Sequence, residues 1–248
     1  MIVQKSPTEI EIMREAGRIT ARALRLVGEA LRPGVRTREL DAVAETAIRE
    51  EGAIPAFLGY HGFPASICSS VNEQVVHGIP GDTKLAAGDI ISIDIGAIFD
   101  GYYGDSARTF PIGSVSDEAS RLMDATERSL QAGIEQCVPG KRLYDISHAV
   151  QLVAEGAGFS VVREYVGHGI GQAMHEEPQI PNYGPEGKGP ELKEGMVFAI
   201  EPMVNAGGAA VKSLSDGWTV VTADKSLSAH FEHTVAVTSA GPMVLTRE

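Results

Sequence analysis

Two segments of this 248-residue chain, offset by 107 positions, read as versions of one another, and each ends on a carboxylate. Leu85 to Asp94 runs L-A-A-G-D-I-I-S-I-D, and Leu192 to Glu201 runs L-K-E-G-M-V-F-A-I-E. In both, a glycine precedes a short apolar run of strand character that delivers an acid at its end. A carboxylate closing an apolar strand is costly to bury unless something positive meets it. Two such ends from related halves point to a shared cation.

The duplication extends upstream. Pro33-Gly34 opens P-G-V-R-T-R-E-L and Pro139-Gly140 opens P-G-K-R-L-Y-D-I, so Arg36 matches Arg142, Glu39 matches Asp145, and Gly52 matches Gly158. His77-Gly-Ile-Pro80 and His175-Glu-Glu-Pro178 share only H-x-x-P, at an offset of 98, which requires an insertion of nine residues before Leu192. Short matches of this kind recur by chance singly; three in the same order indicate an internal repeat. Its period is too long for a solenoid. The expectation is one catalytic domain over 1–248 built from half-repeats of about 1–112 and 113–248, facing each other across a pseudo-two-fold axis.

The coarse layout is α+β. Ser6-Pro7-Thr8-Glu9 is a capping-box start, and apolar residues recur from Ile12 through Val27 and Ala30 until Pro33-Gly34 stops the helix. Further helices are predicted from Thr37 to about Glu51, from Ser116 to Cys137, and from about Asp145 to Glu155. Strand-rich stretches follow each helix pair, roughly 66–110 and 160–240.

Asp100-Gly101, between two apolar runs, is a two-residue hairpin signal. A tight turn there pairs Phe99 with Tyr102 and Gly96 with Asp105. Asp94 shares the face of Gly96, so Asp94 and Asp105 become diagonal neighbours ~7–8 Å apart at Cα, with the glycine between them leaving room for a metal. The second half adds His168, set between glycines where backbone can crowd a ligand, then His175, and Glu232 at the start of an apolar strand. Singly, each reads as an ordinary hydrogen-bonding or solvated residue; the set carries the reading.

Composition excludes several classes. The formal charge of −12 disfavours DNA binding, which needs clustered Lys and Arg. No apolar run approaches the ~20 residues of a membrane span, and the N-terminus lacks the pattern of a signal peptide. Two cysteines, Cys68 and Cys137, give no disulfide framework and fit a cytoplasmic protein.

The order Asp94, Asp105, His168, Glu201, Glu232 resembles the five-ligand signature of dinuclear methionine aminopeptidases, which have the pita-bread fold. The resemblance covers nearly the whole chain. It rests also on Tyr60-His-Gly-Phe-Pro64, Asn72-Glu73, His77-Gly-Ile-Pro80, Gly101 to Asp105, Gly167-His-Gly-Ile-Gly171, His175-Glu-Glu-Pro178, Glu201-Pro-Met-Val-Asn205, Asp216-Gly-Trp-Thr219 and Ser226-Leu-Ser228. The short interval from His168 to Glu201 is similar to that of type I members. The fold so implied has two pseudo-symmetric halves with antiparallel sheet inside and helices outside.

The resemblance implies a metal-dependent methionyl aminopeptidase that removes the initiator methionine from nascent polypeptides whose second residue is small. Asp105 and Glu232 would bridge two divalent ions (cobalt, manganese, iron or zinc), Asp94 would chelate one, and His168 and Glu201 would complete the other. Such a pair activates water near neutral pH, with Glu201 as proton shuttle, His175 stabilising the oxyanion and His77 contacting the scissile amide nitrogen. Tyr60, Phe63, Cys68 and Trp218 would form the methionine pocket; each also reads as plain core packing. Phe57 and Met174 depart from the residues frequent in the family, Cys and Phe, yet stay apolar. A monovalent cation near Asn72, Gln74 and Ser228 is implied too, as are a monomeric state and transient ribosome contact. The competing readings are a proline-specific aminopeptidase of the same fold and a non-catalytic pita-bread binding protein. The former usually has an extra N-terminal domain and different histidine motifs; the latter typically loses ligands that are all filled here.

Overall fold

The computed structural model describes residues 2–248. Helix α1 (Pro7–Ala30) begins as its capping box dictates: Glu9 N donates to Ser6 Oγ, and Ser6 N donates to Glu9 Oε2 at 2.7 Å. Helix α2 (Thr37–Glu50) packs beside it. Helices α3 (Asp117–Ile134) and α4 (Leu143–Gly156) form the corresponding pair. Helix α3 stops short of Cys137 because Gln136 N and Cys137 N turn back onto Gly133 O and Ile134 O. Helix α4 begins before Asp145 because that carboxylate accepts from Arg142 N at 2.7 Å, making Asp145 the third residue of the helix rather than its first. No helix among the described residues is long and apolar enough to cross a membrane.

The strands Ile90–Phe99 and Tyr102–Pro111 form the predicted hairpin. Asp100 and Gly101 both have positive φ, 46° and 79°, as a type I′ turn requires. The register is Phe99 with Tyr102, Gly96 with Asp105 and Asp94 with Ala107, so both aspartates lie on one face. Ile90–Phe99 also pairs with Ile67–Val71. In the second half, Val197–Ile200 is flanked in the same way by Gly167–Gly169 and His233–Thr238.

Matching backbone contacts recur at the two P-G turns. Gly34 N donates to Leu85 O at 2.7 Å and Gly140 N to Leu192 O at 3.0 Å, while Arg36 bridges Lys84 and Arg142 bridges Glu191. The H-x-x-P pair is the poorest structural match: His77 follows strand Gln74–Val76 in a left-handed conformation (φ 60°), whereas His175 precedes strand Glu176–Ile180. Each helix pair buries an apolar face against its own sheet. Ile19, Leu40 and Ile48 meet Ile91, Ile93 and Ile95; Leu122, Leu130 and Ile146 meet Phe198, Ile200 and Val235.

The halves join where Gln74–Val76 pairs with Val220–Thr222, and along a second seam beside the hairpin. Glu232 N donates to Ala107 O (2.9 Å), Ser106 Oγ to Glu232 O (2.8 Å), and Thr234 Oγ1 to Asp105 O (2.8 Å). Helix α1 presses on the same hairpin so closely that a Cβ at Gly104 would lie 2.7 Å from Gly17 N and 2.9 Å from Ala16 O. Because those neighbours are backbone, they cannot swing aside. Gly104→Ala is therefore expected to lower stability by about 1–3 kcal/mol, read as a reduced midpoint in urea unfolding; an unchanged midpoint would show that α1 is free to lift off the sheet.

Candidate metal centre

Five strand segments aim side chains at one point. Asp94 and Asp105 come from the hairpin, His168 from Gly167–Gly169, Glu201 from the residue after Val197–Ile200, and Glu232 from the residue before His233–Thr238. His168 Nε2 lies 3.3 Å from Glu201 Oε1 and 4.0 Å from Asp105 Oδ2. One potential ligand atom from each of Asp105, His168 and Glu232 falls within 4.8 Å of the others. All five residues line a single cavity of about 190 Å³.

This cluster is electrostatically incomplete by itself. Burial, compounded by the neighbouring carboxylates, pushes the Asp94, Glu201 and Glu232 carboxyls well above their usual range. Burial likewise pushes Asp105 up to about 7. Asp94 Oδ1, Asp105 Oδ1 and Glu232 Oε1 are buried without a hydrogen-bond partner. Buried polar atoms are seldom left this way. Oxygen donors of this kind with one imidazole fit a divalent cation. His168 is set up for the same role. Its Nδ1 lies 2.9 Å from Gly169 O, a carbonyl that can only accept, so Nδ1 carries the proton and Nε2 turns its lone pair to the carboxylates. Burial pulls the His168 pKa down to about 4, which keeps the ring neutral.

The other expected site residues surround the cluster. The His175 ring lies 4.2 Å, centroid to centroid, from that of His168 at a tilt of 48°, and its Nδ1 is 2.7 Å from the Tyr60 hydroxyl. His77 faces Trp218 and Tyr165 edge-on, and burial lowers its pKa to about 4. Phe57, Tyr60, Phe63, Cys68, Met174 and Trp218 form an apolar wall of the same cavity, with Phe63 edge-on to Trp218 at 5.0 Å. Burial raises the Cys68 thiol pKa well above its ordinary value, so this sulfur is a packing surface and not a nucleophile. Asn72 O accepts from Ser228 N at 2.9 Å. The side-chain oxygens of Asn72 and Gln74 accept from Ile90 N and Val71 N, and the Ser228 hydroxyl donates to Asn205 Oδ1 at 2.9 Å.

Four features differ from, or go beyond, the sequence reading. At Gly96 the absent side chain makes room for Phe57 and Ala56, not for a metal: a Cβ would sit 2.9 Å from both side chains. The glycines around His168 allow close backbone packing, with Gly167 against Ala199 O and Gly169 against the Glu177 carbonyl. Two groups went unnoticed. His230 is fully buried, with Nε2 unpartnered and 3.8 Å from Glu201 Oε2; its spacing of two from Glu232 was the available signal. Lys5, also buried, pairs with Glu176 at 2.6 Å and so ties the N-terminal segment to the turn that carries His175.

Comparison with known proteins gives a consistent picture. Residues 11–239 match the model of metallopeptidase family M24. Methionine aminopeptidase 1 of Bacillus subtilis is 58% identical over 247 residues, covering 100% of both chains. The crystal structure of methionine aminopeptidase from Rickettsia prowazekii superposes with a TM-score of 0.98 at 46% identity, again covering 100% of both. Prolidase from Pyrococcus furiosus matches at a TM-score of 0.78 and 24% identity, over 99% of this chain and 66% of its own, and so shares the pita-bread fold alone.

A carboxyl whose folded-state pKa is raised holds its proton more tightly in the folded protein. Metal-free protein therefore keeps this contribution to stability in acid and loses it as pH rises through the Asp105 value of about 7. Added Mn²⁺ is expected to raise the melting temperature, with a larger shift at about pH 8 than at about pH 5.5, where protons compete for the same oxygens. Equal shifts at both pH values would place the ion elsewhere.

Proposed function

The chain belongs to metallopeptidase family M24, and from this we propose that it removes the N-terminal methionine from nascent polypeptides whose second residue is small. It is a metal-dependent hydrolase of the methionine aminopeptidase type. The observation that carries the reading is that the carboxylate-imidazole cluster and an apolar, sulfur-containing wall share one cavity. An unbranched thioether side chain suits a wall of Phe57, Tyr60, Phe63, Cys68, Met174 and Trp218, because sulfur packs well on ring edges and conforms to irregular gaps.

Asp94, Asp105, His168, Glu201 and Glu232 would hold two divalent ions. Manganese, iron, cobalt and zinc all suit this donor set. Bound divalent ions supply Lewis acidity toward a carbonyl and lower the pKa of water. The protein's own groups do the rest. Glu201 takes the proton of the attacking water and passes it to the leaving amine. His175, beside His168, offers an N–H to the oxygen on which negative charge develops. His77, which lines the same cavity, contacts the scissile amide nitrogen. A bound monovalent cation, if present, uses carbonyls near Asn72, Gln74 and Ser228.

Proline-specific hydrolysis on the same fold is disfavoured by the full-length match to methionine aminopeptidases against a fold-only match to prolidase. The filled ligand set disfavours a non-catalytic role. Purified protein with added Mn²⁺ or Co²⁺ is expected to cleave Met-Gly-Met and leave Xaa-Pro dipeptides intact; the reverse pattern would replace this reading with the prolidase one. Glu201→Gln removes the proton-carrying carboxylate and is expected to lower kcat between about 10²- and 10⁴-fold. Turnover at the unsubstituted rate in that variant would rule out the shuttle.

A further inference from the structure

The contact between Tyr60 and His175 does more than line a pocket. It joins two loops 115 residues apart, one from each half, and the Tyr60 hydroxyl sits 2.7 Å from the His175 Nδ1. The two rings lie 5.6 Å apart and are tilted by 31°, so the hydroxyl meets the imidazole through its edge. Tyr60 belongs to the short helical turn Tyr60–Gly62, which is closed by Gly59 N and Phe63 O at 2.9 Å. On the other side, Glu176 is fixed by Lys5 and by Ala173 N. Neither loop is a loose tether, so the contact holds a defined orientation.

An imidazole with one ring proton has two tautomers, and the partner of one nitrogen decides which is present. A phenol O–H is a better donor than an imidazole N–H, and an imidazole nitrogen is a better acceptor than a phenol oxygen. The favoured arrangement is therefore Tyr60 O–H donating to Nδ1, with the proton on Nε2. The neighbouring His168 is fixed in the opposite sense, with its proton on Nδ1 facing Gly169 O. Two neighbouring imidazoles thus present unlike nitrogens to one cavity: a lone pair from His168 and a donor from His175.

We propose that Tyr60 is a positioning residue that sets the Nε2–H tautomer of His175, so that this ring donates a hydrogen bond to the substrate's developing oxyanion. The proposal rests on the aminopeptidase reading above and adds a role for the hydroxyl beyond the ring's place in the wall. Tyr60→Phe removes only the hydroxyl, and Tyr60→Leu removes the aromatic surface as well.

With Met-Gly-Met and Mn²⁺, Tyr60→Phe is expected to lower kcat by about 10- to 100-fold while KM stays within about twofold. Tyr60→Leu is expected to raise KM in addition. In a His175→Ala background, Tyr60→Phe should change kcat by less than about twofold, because the group it orients is gone. A second readout is independent of turnover: long-range ¹⁵N–¹H spectra of histidine-labelled protein should show His175 as the Nε2–H form, becoming a mixture or the Nδ1–H form in Tyr60→Phe. Unchanged kcat in Tyr60→Phe, an equal loss with and without His175, or an unaltered His175 signal would overturn the proposal while leaving the aminopeptidase reading intact. Failure of the unsubstituted protein to cleave Met-Gly-Met would instead remove that reading, and this one with it.

Discussion

Four carboxylates crowded into a buried cavity repel one another by about 4 kcal/mol per pair at 4 Å, even with an effective dielectric near 20. The rest of the architecture is organised around imposing and then relieving that repulsion. Its scaffold is the seam between Tyr102–Pro111 and His233–Thr238, where backbone and hydroxyl hydrogen bonds hold Asp105 and Glu232 side by side. Flexible side chains on loops would turn away from each other. Side chains rooted in paired strands cannot, so the repulsion becomes affinity for cations.

The two halves contribute unequally to this centre. The first supplies Asp94 and Asp105 from a single hairpin, and the second supplies His168, Glu201 and Glu232 from three separate strands. The symmetry is closest where it is scaffolding, in the P-G turns and their returns to Leu85 and Leu192. It fails at the two H-x-x-P segments, where His77 and His175 have unlike settings. Similar scaffolding on the two sides thus carries a cluster that is not itself two-fold.

Local order in the chain predicts what depends on local rules. The Ser6 capping box, the four helices and the Asp100-Gly101 hairpin are visible because caps and turns are written in adjacent residues. The hairpin register then yields the shared face of Asp94 and Asp105 without further input. Contacts across the fold were not legible in this way. Nothing near Gly96 announces that Phe57 fills the space above it. Nothing near Tyr60 marks its hydroxyl as a partner for a ring 115 residues later. His230 shows the same limit, since its orphaned nitrogen matters only once Glu201 is beside it.

The buried pair of Lys5 and Glu176 has a consequence for the turn that bears His175. Neutralising either partner strands the other charge away from water, and a lone buried charge is strongly destabilising. An ammonium 171 positions from Glu176 in the chain is thus the latch on that turn, and a substitution there would be felt on the far side of the molecule.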